Sequence, residues 1–222
     1  MRKVIKPENS ALGIRKAPSP MLPRVFTAIN SLVAKQKVNP VTLDHGCGQL
    51  RNIRSLLDFS NQLILVDTEK QLTKKHNFLG EYLTIQEYIT KKYPEHNIRI
   101  FNSDKFEVSQ LNIDIVFSIN VLDVTPPKIR GAALRAIRKN LRDNGILVLI
   151  VPRNDSWTLQ RCSKADKFAD GYVFPNHGAF TFYRNWDDFS LEAIARRYGF
   201  VLLQNLSVYR YGCILCRPIV KD

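Results

Sequence analysis

Residues 41–48 read Val41-Thr42-Leu43-Asp44-His45-Gly46-Cys47-Gly48. A short run with strand character ends in an acid and two glycines one residue apart. Glycine lets a chain turn sharply and lets a ligand approach the backbone with no Cβ in the way. Open parallel sheets bind their ligands just beyond the carboxyl ends of the strands. Asp67 closes the next apolar run, residues 63–66, nineteen positions after Gly48. A carboxylate in that place can accept hydrogen bonds from both vicinal hydroxyls of a ribose.

Around that pair the sequence alternates strands and helices. Residues 1–24 contain Pro7, Pro18, Pro20 and Pro23 and read as an extended arm. Phe26, Ile29, Leu32 and Val33 then have helical spacing, which Asn39-Pro40 ends. Helices are predicted over residues 52–58 and 81–93, and strands over 98–101, leading to Asp104, and 113–119. Thr125 suits an N-cap and Pro126 the first position of a helix that runs to about residue 141. Ile129, Ala133, Ile137 and Leu141 are expected on its buried side. Asn144-Gly145 stops that helix. Residues 146–151 read as a strand, 186–198 as a helix ended by Gly199, and 200–203 with 208–216 as an antiparallel pair. Apolar strands separated by helices imply an α/β fold with a parallel sheet covered on both faces. Residues 152–185 break the alternation, being polar and aromatic, and read as a long irregular insertion of the kind that carries function. The expected organisation is a basic arm and helix over residues 1–40 and one domain over 41–222, with a lid inserted at 152–185.

Composition narrows the class. The chain has 222 residues, enough for one large domain with a real core. A hydrophobic fraction of 45% excludes a mostly disordered chain. Four cysteines are too few for a disulfide scaffold and suggest a reducing, cytoplasmic setting. Residues 146–151 are the longest strongly apolar stretch and are too short to span a bilayer. The first residues lack the apolar core of a signal peptide, so no membrane association is expected. The formal charge of +13 is concentrated. Residues 1–37 hold eight basic residues against Glu8 alone, and residues 128–142 hold six with no acid. The arm precedes the glycine loop, so Arg15 or Lys16 can pair with a ligand carboxylate or a phosphate. The second cluster reads as the wet face of an amphipathic helix. Arg130 alone falls near its apolar stripe, where it needs a partner.

The ligand follows from charge. A nicotinamide dinucleotide loop would carry a third glycine where Arg51 stands, and Asp44 would repel a pyrophosphate. An acid beside the glycines suits a cation. S-adenosylmethionine carries an ammonium and a sulfonium and has no phosphate. With the glycine loop 43–48, Asp67, and Ser103-Asp104 after the third strand, the sequence resembles the class I S-adenosylmethionine-dependent methyltransferases over roughly residues 41–216. The resemblance implies a Rossmann-like three-layer sandwich on a mostly parallel seven-stranded sheet whose last strand is antiparallel. It implies S-adenosylmethionine as cofactor at the loop of Asp44, Gly46 and Gly48, with Asp67 on the ribose hydroxyls and Asp104 near the adenine amino group. Arg15-Lys16-Ala17-Pro18-Ser19-Pro20-Met21 and Val121-Leu122-Asp123-Val124-Thr125-Pro126-Pro127 are also similar to segments of a bacterial and phage-associated methyltransferase group. An asparagine is usual in that group where Asp123 stands.

Asp123 follows the fourth strand, where the transferred methyl should lie, and can orient or deprotonate an acceptor. Capping of the next helix is its structural alternative. His177, in the lid, is a second candidate base. Cys213 and Cys216 are spaced C-x-x-C within a predicted strand, which sends their thiols to opposite faces and argues against a metal. The expected reaction is methyl transfer from S-adenosylmethionine to an anionic small molecule or metabolite, with much of the rate coming from alignment. A nucleic-acid substrate, met by the basic arm and by lid aromatics that stack on bases, is the alternative. A regulatory protein that holds the cofactor without transfer is a third reading.

Overall fold

The computed structural model describes residues 19–33, 40–153, 160, 162–163, 165–176 and 179–220. Its first element, helix α1 (Leu22–Val33), starts three residues earlier than the apolar spacing suggested. Pro23 fits the first turn, where its missing N–H costs nothing, and the Leu22 N–H donates to Ser19 O at 3.1 Å. Met21, Leu22, Val25 and Ile29 are buried in the core.

Strand β1 (Val41–His45), helix α2 (Ile53–Leu57) and strand β2 (Gln62–Asp67) follow as the pattern predicts. After the short helix α3 (Glu69–Thr73), the helix expected over 81–93 gives up its first turn to a hairpin of β3 (His76–Phe78) and β4 (Glu81–Leu83). Helix α4 (Ile85–Lys92) begins only at a capping box. There the Thr84 hydroxyl accepts from Glu87 N at 3.2 Å, and the Glu87 carboxylate accepts from Thr84 N at 2.7 Å.

Strand β5 (Ile98–Asn102), helix α5 (Ser103–Val108), strand β6 (Ile113–Ile119), helix α6 (Pro127–Asn140) and strand β7 (Leu141–Pro152) complete the middle of the chain. In α6 Pro126 is the N-cap residue, and the Thr125 hydroxyl turns back to donate to Val121 O at 2.5 Å. The helix ends at Asn140, ahead of Asn144-Gly145. The Asn140 side chain is spent on Leu111 N at 2.7 Å and Ala136 O at 2.9 Å, and Leu141 already pairs with Ile113. The buried stripe keeps Ile137 and Leu141 as expected but shifts by one residue in the first half of the helix: Arg130 and Leu134 are buried, while Ile129 is 47% exposed and Ala133 half-buried.

The segment expected to be irregular instead contains an antiparallel sheet of β8 (Asp166–Phe168), β9 (Gly171–Asn176) and β10 (Ala179–Tyr183), in the order β10-β9-β8. Helix α7 (Asp188–Arg197) and strands β11 (Phe200–Asn205) and β12 (Tyr211–Pro218) close the fold. The main sheet runs β11-β12-β7-β6-β1-β2-β5. Every pair is parallel except the two made by β12, the last strand. This is the Rossmann-like α/β sandwich expected. One face is packed by α1, α2 and α4 through Val25, Ile53, Leu56, Ile85 and Ile89, the other by α5, α6 and α7 through Phe106, Leu134, Ile137 and Leu191. Cys213 lies in the first of these cores and Cys216 in the second, on opposite faces as their spacing requires, and burial pushes both thiols up to about 12. Among the described residues, no helix is long and apolar enough to cross a membrane.

This shift in α6 has a measurable consequence. Ile137→Ala should cost about 2–5 kcal/mol in urea denaturation, as large-to-small changes in a packed core do. Ile129→Ala should stay within about 0.5 kcal/mol, as for a surface change. Equal costs would contradict the observed stripe.

Candidate active site

The glycine loop is pinned to the neighbouring strand. The N–H groups of Gly46 and Cys47 both donate to Val66 O, at 2.8 and 3.1 Å. Gly46 holds φ +74, and a Cβ there would lie 2.4 Å from Val121 Cγ2. Any other residue would have to displace the Val121 side chain and hold a left-handed backbone, which glycine does without cost. Gly48 N donates to Asp67 Oδ2 at 2.8 Å, and Thr68 N donates to Asp67 Oδ1 at 2.8 Å. Two backbone N–H donors thus fix the orientation of the Asp67 carboxylate. Burial raises its pKa, and those two hydrogen bonds oppose the rise.

Asp44 is 1% exposed and its Oδ2 has no hydrogen-bond partner. Burial first, and the nearby Asp67 charge second, push its pKa up to about 7, against the pull of Arg51. Burial lowers His45 to about 4, so the adjacent imidazole is neutral and offers no countercharge. Just past β6, Asn120 sits at φ +56 with its N–H donating to Ile150 O at 2.8 Å and its buried Oδ1 unpartnered. A shallow cleft opens between Ser19 at the foot of α1, Gly46, Arg51, Asn52, Asn120 and Tyr211. Ser19 N closes one edge by donating to Asn52 Oδ1 at 3.0 Å.

Buried polar atoms in native proteins are normally satisfied, and exceptions call for an explanation. Two acceptor oxygens without donors, one on a carboxylate, at the carboxyl ends of neighbouring strands suit a ligand that brings N–H groups and positive charge. S-adenosylmethionine fits that demand and a pyrophosphate does not. Among the described residues, no group of three or more His, Cys, Asp or Glu side chains could hold a metal.

The family described as "Methyltransferase domain" matches residues 20–205. This chain belongs to that family. It is a class I S-adenosylmethionine-dependent methyltransferase. The uncharacterized protein YmfD of Escherichia coli strain K12 is 24% identical over 171 residues, 76% of each chain. Among solved structures, the 1,6-didemethyltoxoflavin-N1-methyltransferase of Burkholderia thailandensis, with 1,6-didemethyltoxoflavin and S-adenosylhomocysteine bound, is similar with a TM-score of 0.63 and 15% identity. The match covers 90% of this chain and 79% of that one. Magnesium protoporphyrin IX methyltransferase of Synechocystis PCC 6803, with bound S-adenosylhomocysteine, gives 0.57 and 16% over 89% and 83%. The PH0226 protein of Pyrococcus horikoshii OT3 gives 0.62 and 16% over 92% and 93%.

Within this methyltransferase, Asp44, Gly46, Gly48 and Asp67 come together at the ends of β1 and β2. Asp104 is exposed in the first turn of α5, two residues past Asn102, the register partner of Asp67. Asp123 is 3% exposed in the turn after β6, and its carbonyl accepts from Arg184 N at 2.7 Å. Arg15 and His177 lie outside the described residues. Asn120 and the Ser19–Asn52 pair escaped the sequence reading. Asparagine directly after an apolar strand is the one available signal for Asn120, since Asn tolerates the left-handed region better than most residues.

Two outcomes follow for the cofactor loop. Gly46→Ala should abolish calorimetric binding of S-adenosylhomocysteine, because the new Cβ displaces Val121. Asp44 gives a pH signature. A cation beside it binds its ionised form, so affinity should climb by up to about tenfold per unit as pH rises toward 7 and level off above. The stability sign is opposite. The folded pKa is raised above the ordinary carboxylate value of 3.8, so Asp44 stabilises the ligand-free fold below that value and this contribution is lost as pH rises through about 7. At pH 8, Asp44→Asn should therefore melt higher than the parent while binding the cofactor less well; a lower melting temperature would contradict the unpartnered carboxylate.

Proposed function

We propose that the methyltransferase acts on an anionic small molecule or metabolite. Asp44 takes the ammonium end of S-adenosylmethionine, Arg15 its carboxylate, Asp67 the ribose hydroxyls and Asp104 the adenine amino group, while Gly46 and Gly48 let the loop approach. The bound cofactor supplies a methyl group already activated on a sulfonium. Asp123 then aligns the acceptor or removes its proton, with His177 as a second base from the lid. The basic arm of residues 1–40, ahead of its helix, is proposed to close one side of the cleft, and the insertion at 152–185 the other.

The observation that carries this reading is the attachment of the lid sheet to the turn after β6, through the 2.7 Å bond from Arg184 N to Asp123 O. A wall placed there favours an enclosed acceptor over a polymer lying in an open groove. The cations of α6 support the same choice, because several are engaged within the chain. Arg142 pairs with Asp114 at 2.5 Å, Arg138 with Asp143 at 3.5 Å, and Lys139 donates to Val108 O at 3.1 Å. The bound acceptor named for the Burkholderia structure is a small molecule, which fits this class without identifying the compound.

The test is transfer of tritiated methyl from S-adenosylmethionine into fractionated cell extract. Label should appear in dialysable, anion-exchange-retained material, and Asp67→Ala should cut it by at least about tenfold. Label in the nucleic-acid fraction with a steep salt dependence would replace this reading with the polymer one. Cofactor binding without any labelled product would replace it with a regulatory role.

A further inference from the structure

Three side chains from separate parts of the chain meet at one carboxylate oxygen. Arg130 of α6 and Arg184, directly after β10, both donate to Oδ2 of Asp170 in the turn between β8 and β9. Both guanidiniums also lie over the buried ring of Trp186, at 4.9 and 3.8 Å from its centroid. The Arg130 side chain is 2% exposed and that of Arg184 20%, so removing the shared anion would leave two poorly solvated cations facing each other.

The same arginines grip the segment between β6 and α6. Arg130 Nη1 donates to Leu122 O at 3.5 Å and to Thr125 O at 3.2 Å. Arg184 N donates to Asp123 O at 2.7 Å. Three carbonyls bracketing Asp123 are thus held by residues that Asp170 holds. Since α6 is anchored in the core by Leu134 and Ile137, the cluster ties lid, helix and turn into one piece.

We infer that Asp170 is a positioning residue for methyl transfer: by fixing Arg130 and Arg184 it keeps residues 121–125, and Asp123 with them, against the lid as a preformed wall of the acceptor cleft. It acts through the two arginines. The consequence for catalysis rests on the role proposed for Asp123; the consequence for the backbone does not.

Hydrogen exchange on the ligand-free protein tests the mechanical part. In Asp170→Asn the Arg184 amide should exchange at least about tenfold faster while amides of β1, β6 and β7 keep their protection. Asp170→Glu should restore the parent rate. An unchanged Arg184 amide overturns the inference, and so does equal acceleration across the main sheet, because the cluster would then hold the fold and not the turn. If Asp170→Asn does not fold, Arg184→Gln carries the same test at residue 184, since it leaves Arg130 paired. For the catalytic part, at saturating S-adenosylmethionine, Asp170→Asn should transfer label at least about tenfold more slowly, with affinity for S-adenosylhomocysteine within about threefold of the parent. A matching loss of that affinity, or an undiminished transfer rate, overturns the positioning role. A parent enzyme that labels no acceptor counts against the proposed function instead, and the exchange result then decides this inference alone.

Discussion

A buried carboxylate with one oxygen unbonded is the constraint around which this site is organised. Asp44 sits near the end of β1 with one oxygen unbonded, and a buried charge that is not fully compensated is among the most costly features a fold can carry. Its neighbours offer little relief. His45 is neutral, Asp67 adds a like charge, and Arg51 opposes the effect without reversing it. Selection for stability alone would replace such a residue with an amide or an apolar side chain. A carboxylate in this place makes sense if a cation arrives from outside, and the methyl donor of this family is cationic.

The sheet explains why the demand falls here. Strand β1 has β2 on one side and β6 on the other, so the chain order reverses at β1. The connections leave in opposite directions and open a crevice at the carboxyl ends. Two left-handed backbone positions line that crevice, Gly46 after β1 and Asn120 after β6. Gly46 gives up its side chain so that the loop can pass Val121, whereas Asn120 keeps one and leaves its oxygen unpartnered. Strain and unsatisfied polarity thus gather where a ligand can offset both.

How much of this was legible depended on the range of the forces involved. The central strands were readable because burial on both faces makes them continuous apolar runs, and Asp44, Gly46, Gly48 and Asp67 were readable because each lies at or just past a strand end. Elements stabilised from a distance were not. The three lid strands are only three to six residues long, and their sheet is tied to the body by an ion pair between residues forty positions apart in sequence. The shift in the first half of α6 was legible in part: Arg130 reads as a residue near the stripe that needs a partner, and Asp170 and Trp186, both distant in sequence, are the partners that let it take the buried place expected of Ile129. The hairpin before α4 was hidden because its Ile85 and Ile89 continue a helical rhythm, and only the Thr84–Glu87 box marks where the helix starts.

The same division separates the two halves of the site. The cofactor half is made of backbone turns and strand ends, which follow from local sequence and from the topology common to the fold. The segment after β6 is instead held by side chains brought together from α6, from the turn between β8 and β9, and from the end of β10, by contacts no motif encodes. Folds of this kind hold one cofactor in a common way while their acceptor side varies with inserted segments. In this chain the insertion is joined to the body through charge pairs and an aromatic face, which depend on the geometry of a few atoms. Single substitutions at that junction are therefore where the segment after β6 can be loosened without disturbing the loop around Asp44.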